Sequence, residues 1–270
     1  MNLFLRNSRI KLSQGQIFWR EIGTGSVLVF LHGSFRDSSQ WLPLIEQLQK
    51  DYHCFALDLL GFGESERPKT HYSIELEVEC LAEFFDALNL PQVYLIGDSL
   101  GGWMATNYAL KYPERVGGLV LLSPEGVSTE TSKFFSWQSR WLLGAPLLVL
   151  KLLRSLQPLL KLFGAGKTIP RLWELRQQKA QFATALELLF RRRPTEIQAE
   201  LLNEKLVWLK VPTLILQGKE NNLEAIAQSQ VYASLAPVAK LQMIDGAGSN
   251  LAEELPDIVA QQVQAFIHHL

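Results

Sequence analysis

The chain has 270 residues, 47% of them hydrophobic, and a formal net charge of -1. That is ample material for one large core, and the near-zero charge argues against a general nucleic-acid binder. Two cysteines, Cys54 and Cys80, make neither a disulfide framework nor a metal cluster and fit a reducing compartment.

The N-terminal stretch "MNLFLRNSRIKLSQGQ" has no long apolar segment, so no signal peptide is expected. No run approaches the ~20 apolar residues that cross a bilayer. The expected location is therefore cytoplasmic. From Val27 onward, short apolar runs end in glycine or a turn: "VLVFLHG", "HCFALDLLG", "VYLIGDSLGG", "VGGLVLLSPEG" and "PTLILQG". Runs of this kind suit parallel strands buried on both faces. Helical patterns lie between them, at Gln40 to Gln49, Ile74 to Leu88 and Trp103 to Lys111, with a last helix from about Pro256 to His269. The alternation predicts an α/β class protein with a mostly parallel central sheet flanked by helices.

Residues 130–206 break the alternation. Prolines and glycines interrupt helical patterns there, and the segment predicts a helical cap inserted into a core formed by residues 1–129 and 207–270. Between Glu130 and Thr195 there are twelve Lys/Arg against three Glu, whereas the rest of the chain has fourteen basic and twenty-four acidic residues. Within the cap, Trp141 to Phe163 is nearly all leucine, and on a helical wheel Lys151, Arg154 and Lys161 form a narrow basic stripe. Phe134, Phe135, Trp137, Trp141 and Trp173 add aromatic surface. Two readings stay open: a helix resting on anionic lipid as a peripheral membrane contact, or a lid packed over the core with its cations reaching solvent. Both imply an apolar or lipid-like small-molecule partner. "FRRRP", Phe190 to Pro194, is a basic cluster that is either a phosphate contact or a solvated face.

The chemistry centres on Gly97-Asp98-Ser99-Leu100-Gly101, a G-x-S-x-G segment that follows an apolar strand and opens a helical pattern. A strand-to-helix turn this tight admits only small residues around the serine and holds the hydroxyl up at the sheet edge. With "LHGSFRDSSQW", which includes Trp41, and "DLLGFGESERP", with Asp58, Gly61, Gly63 and Ser65, the chain resembles the α/β-hydrolase superfamily of serine hydrolases from about Gln16 onward. The resemblance implies an α/β-hydrolase fold, Ser99 as nucleophile and an oxyanion site built from the backbone N–H groups of Leu100 and Ser34, with Phe35 as the neighbouring candidate. It implies no cofactor, and His32 is structural within it.

The resemblance also shows what this chain lacks. The acid position, three residues after Gly218, holds Asn221, and the histidine position holds Ser249. Loss of the histidine alone costs another serine hydrolase ~10⁶ in kcat, about 8 kcal/mol of barrier. The candidates for a substitute base are His71, on the loop in "RPKTHYSIEL", and Glu125, in "LLSPEGV", where some family members place their acid. The remaining histidines, His53, His268 and His269, read as surface or structural. No Cys/His cluster has metal-ligand spacing. Three functions stay open: a protein that binds an apolar ester-like ligand with weak or no hydrolysis, an active esterase with a non-standard base, and a non-catalytic interaction protein.

Overall fold

The computed structural model describes residues 4–130 and 183–270. Eight strands form one sheet: β1 (Arg6–Lys11), β2 (Gln16–Ile22), β3 (Ser26–Leu31), β4 (Tyr52–Asp58), β5 (Val93–Asp98), β6 (Val116–Leu122), β7 (Thr213–Gly218) and β8 (Ala239–Ile244). Their spatial order is β1-β2-β4-β3-β5-β6-β7-β8. β2 pairs antiparallel with both β1 and β4, and every other neighbour pair is parallel. The five apolar runs are β3 to β7, and they occupy the middle of the sheet.

Among the described residues, the α-helices of seven or more residues are α1 (Leu42–Leu48), α2 (Ile74–Ala87), α3 (Leu100–Lys111), α4 (Pro194–Glu200), α5 (Leu223–Leu235) and α6 (Pro256–His268). Strand alternation explains why both faces are dry. Along β3, Leu28 and Phe30 point into one core with Trp41, Leu44, Leu48, Val259 and Val263. Val29 and Leu31 point into the other, with Phe84, Phe85, Tyr108 and Tyr232. The first core packs α1 and α6 on the sheet, and the second packs α2, α3 and α5.

The Asp58–Ser65 segment is a knot that fixes the loop beside the site. Asp58 accepts the backbone N–H of Ser38 at 2.6 Å and that of Glu64 at 2.7 Å. The Ser65 hydroxyl donates to the Asp58 carbonyl at 2.6 Å. Gly63 has φ 47°, and a Cβ there would lie 2.0 Å from the Asp58 carboxylate, so only glycine closes this turn.

The chain before residue 131 and the chain just past residue 200 are tied together by hydrogen bonds. Ser128 N donates to Asn203 Oδ1 at 2.7 Å, Asn203 Nδ2 returns a bond to the Ser128 carbonyl at 2.9 Å, and Leu202 N donates to the Gly126 carbonyl at 2.9 Å. The leucine-rich stretch and the aromatic residues named above lie within residues 131–182, outside the described residues. Among the described residues no helix is long and apolar enough to cross a membrane.

One buried charge stands out in the core. Glu77 on α2 is 3% exposed. Its Oε2 accepts the Leu60 N–H at 3.2 Å, while Oε1 has no hydrogen-bond partner among the described residues. Burial pushes its carboxyl up to about 8, with the Leu60 bond opposing the rise. A carboxyl that holds its proton more tightly when folded stabilises the fold below the ordinary carboxylate range and loses that contribution as pH rises. Wild type should therefore lose stability between about pH 5 and pH 8. Glu77→Gln keeps the neutral shape and should flatten this slope, gaining a few kcal/mol over wild type by about pH 8. Thermal melts of both proteins across that range check it, and parallel slopes would contradict it.

Candidate active site

The site is assembled where β5 and β6 end side by side. Asp98 pairs in register with Leu122, so the chain leaves both strands at the same edge of the sheet. On the β5 side, Ser99 sits at φ 51°, ψ -111°, between the last strand residue and the first residue of α3. The glycines explain how so sharp a bend is accommodated. A Cβ on Gly97 would lie 2.5 Å from the Gly101 carbonyl oxygen, and one on Gly101 would lie 2.1 Å from the Leu31 carbonyl oxygen. The bend itself is pinned by Ser99 N donating to the Leu122 carbonyl at 3.0 Å. A serine held at positive φ is a strained conformation maintained by its surroundings.

On the β6 side, Ser123-Pro124-Glu125 turns back toward this bend. Glu125 N donates to the Ser99 carbonyl at 3.1 Å, and the Tyr232 hydroxyl of α5 donates to the Glu125 carbonyl at 2.6 Å. With its backbone held on both sides, Glu125 directs its carboxylate at the elbow. The Ser99 hydroxyl donates to Glu125 Oε1 at 2.7 Å. The Ser34 hydroxyl donates to Glu125 Oε2 at 3.2 Å. Of the two candidate substitute bases, Glu125 is the one that stands at hydrogen-bonding distance from Ser99.

His71 does not share this position. Its side chain is 65% exposed and pairs with Glu196 at 3.3 Å, and it is not among the residues lining the cavity. It is thus turned to the surface and contributes nothing to the lining of the cavity in front of Ser99. His32 is buried between two backbone groups: Nδ1 donates to the Gly33 carbonyl at 2.9 Å and Nε2 accepts the Leu59 N–H at 3.1 Å. Burial lowers its proton affinity, so the ring is a neutral loop brace. His53 pairs with Glu21 at 3.0 Å, far from the elbow in the sheet order.

The two backbone groups expected to form an oxyanion site lie on α3 and on the loop after β3. Leu100 opens α3, so its N–H has no acceptor within the helix. Ser34 and Phe35 lie on the loop after β3 and line the same cavity as Ser99. The side chain of Asp98 lies against Gly33 and accepts from Gln40 Nε2 at 3.3 Å. Burial pushes its carboxyl up to about 7, with the Gln40 bond opposing and the Glu125 charge adding to the rise.

The cavity in front of Ser99 holds about 460 Å³. Trp103, Val127, Leu189, Ile197 and Leu201 form an apolar wall, and Ser123, Asn221, Glu224, Gln228, Ser249 and Asn250 form a polar one. Asn221 and Ser249 thus face the same space as the serine. Asn221 Nδ2 donates to the Ser123 hydroxyl at 3.2 Å, while its Oδ1 accepts the Asn222 N–H at 2.8 Å. Ser249 is exposed, and its hydroxyl donates to Asn250 Oδ1 at 3.4 Å.

Within the "FRRRP" cluster, Arg191 and Arg193 are exposed and Arg192 is buried. Arg192 is turned inward, pairing with Glu200 at 2.5 Å and donating from Nε to the Leu188 carbonyl at 3.0 Å. Glu200 also accepts the Ile74 N–H at 3.1 Å, which ties α4 to the start of α2. The arginine is consumed in holding this tie.

The sequence profile described as the alpha/beta hydrolase fold matches residues 26–255. Among curated proteins, mouse 1-acylglycerol-3-phosphate O-acyltransferase ABHD5 is 38% identical over 126 residues, 43% of this chain and 36% of that protein. The 2-hydroxy-6-oxo-2,4-heptadienoate hydrolase of Pseudomonas putida is 37% identical over 114 residues, 41% of each chain. The matched stretch spans about two fifths of these relatives' length. Among solved structures, a membrane phospholipase A, a bacterial virulence factor, superposes with TM-score 0.74 at 24% identity, covering 98% of this chain and 86% of that one. A meta-cleavage product hydrolase, CumD, superposes with TM-score 0.75 at 23% identity, covering 97% and 98%. These likenesses concern the fold.

If the elbow draws on Glu125 and not on the surface histidine, His71→Ala should label with a fluorophosphonate at the wild-type rate. A labelling rate that collapses in this variant would return the histidine to the site.

Proposed function

Because the chain belongs to the alpha/beta hydrolase fold family, we propose that it is a slow serine esterase in which Glu125 replaces the missing histidine as proton acceptor. The observation that carries this reading is the 2.7 Å contact from the Ser99 hydroxyl to Glu125 Oε1. It supports a sequence of balanced steps. Ser99 Oγ attacks the ester carbonyl while its proton passes to Glu125, and the N–H groups of Leu100 and Ser34 receive the oxyanion. Collapse breaks the bond to the alcohol, which leaves with the proton from Glu125. Water then attacks the acyl-enzyme, gives a proton to Glu125, and Ser99 departs reprotonated.

Slowness follows from the same chemistry. The ordinary basicity of a carboxylate is ~2 pH units below that of imidazole, so it drives proton removal less strongly near neutrality. The backbone oxyanion donors are unaffected by side-chain replacement, and such donors with binding alone retain ~10³–10⁴ over water in another serine hydrolase. The ligand this cavity fits is an ester with an apolar acyl part against Trp103, Leu189, Ile197 and Leu201, and a polar part facing Asn221 and Ser249.

Steady-state assays with p-nitrophenyl esters test the assignment. Ser99→Ala should abolish turnover, and Glu125→Gln should lower kcat by ~10²-fold, at the lower end of what a positioned base contributes. Turnover that survives Ser99→Ala, or is indifferent to Glu125→Gln, sinks the reading. A ligand that raises the melting temperature without any turnover would instead favour a binding protein built on this site.

The replaced positions offer a second check. Asn221→Asp together with Ser249→His puts an acid and an imidazole on the polar wall that already faces Ser99. The double variant should turn over esters at least ~10-fold faster than wild type, since imidazole is the better matched base. No gain would mean that the β7 and β8 loops no longer hold those positions at catalytic distance.

A further inference from the structure

Glu125 has two carboxylate oxygens, and the site engages both. Oε1 receives the Ser99 hydroxyl at 2.7 Å, and Oε2 receives the Ser34 hydroxyl at 3.2 Å. Ser34 is only 4% exposed and comes from the loop after β3, a different chain segment from either β5 or β6. Its backbone N–H suffices for the oxyanion role, and any residue would supply that. The hydroxyl therefore needs its own account.

We propose that Ser34 is a positioning residue whose hydroxyl fixes the plane of the Glu125 carboxylate so that Oε1 stays on Ser99. The inference rests on the reading of Glu125 as proton acceptor. The last torsion of a glutamate is broad and nearly two-fold, so a single hydroxyl on one oxygen leaves the carboxylate free to turn. A second donor on the other oxygen removes that freedom. The cost of ordering a long, rotamer-rich side chain is then met before the substrate arrives.

The backbone of Glu125 does not depend on Ser34. It is held by its own N–H on the Ser99 carbonyl, 3.1 Å, and by the Tyr232 hydroxyl on its carbonyl, 2.6 Å. Removing the Ser34 hydroxyl should therefore take one donor from the carboxylate and leave that backbone in place. The effect also has a sign that a general stabiliser would lack. Donation to Oε2 favours the charged carboxylate and so makes it a weaker base, which opposes proton removal. Only the gain in orientation makes the bond useful, and it appears in kcat.

The test is a double-mutant cycle on the full chain, with p-nitrophenyl butyrate turnover and fluorophosphonate labelling as readouts and a thermal melt to verify folding. Ser34→Ala should lower kcat ~10-fold, the scale of one hydrogen bond to a charged group, and leave KM within about twofold. In a Glu125→Gln background the same change should have no further effect. If Glu125→Gln slows the enzyme but Ser34→Ala does not, the positioning role falls while the assignment of Glu125 stands. If Ser34→Ala slows the Glu125→Gln protein as much as wild type, or acts mainly on KM, its hydroxyl serves the oxyanion or the substrate and the inference is wrong. Should Glu125→Gln run at the wild-type rate, or wild type neither label nor turn over, both fall together.

Discussion

The hydroxyl of Ser99 and the carboxylate of Glu125 meet because two neighbouring parallel strands end in register. β5 and β6 pair Asp98 with Leu122, and the residues that follow have nowhere to go but the same edge. From there the elbow bends into α3 and the β6 loop bends back over it, pinned by the Ser99 carbonyl and the Tyr232 hydroxyl. Every other feature of the site is arranged around that contact. The backbone donors of Leu100 and Ser34 lie beside it, the tie between Gly126 and Leu202 follows within a few residues, and the cavity opens in front of it.

This arrangement changes what the loss of the histidine means. A serine hydroxyl with no acceptor is a weak nucleophile, and the absent imidazole alone would leave a site that polarises a carbonyl without attacking it. A carboxylate at 2.7 Å supplies an acceptor of the wrong strength in the right place. The fold offsets none of that deficit by bringing a histidine in from elsewhere, since His71 is held on the surface by Glu196 and His32 is locked between backbone groups. In the proposed reaction, Asn221 and Ser249 face the polar part of the ester.

How legible was this beforehand? The interior strands could be read because they are buried on both faces and show as unbroken apolar runs. β1 and β8 could not, since edge strands alternate apolar and polar residues, as in "RNSRIK" and "AKLQMI", and that pattern is faint over six positions; β2, paired on both sides, was hidden because "QIFWREI" places Arg20 and Glu21 within the run. The elbow was legible because its glycines are demanded by backbone oxygens that would lie only 2.1 to 2.5 Å from an added Cβ. Asn221 and Ser249 were visible as replacements by counting from their strands. What the sequence did not reveal was which of two candidate bases reaches the serine. That depends on the register between β5 and β6 and on the loop after β6, both set by tertiary packing. The Ser34 hydroxyl and the inward turn of Arg192 left no sequence signal at all.

The most direct measurement is to trap the acyl-enzyme. Wild type and a variant lacking the Glu125 carboxylate would be mixed with p-nitrophenyl butyrate, quenched in acid, and mapped by peptide mass spectrometry. The account predicts a butyryl group on Ser99 in wild type and little or none within the same interval in the variant. Equal acylation of Ser99 in both proteins, or acyl transfer to a different residue, would contradict it.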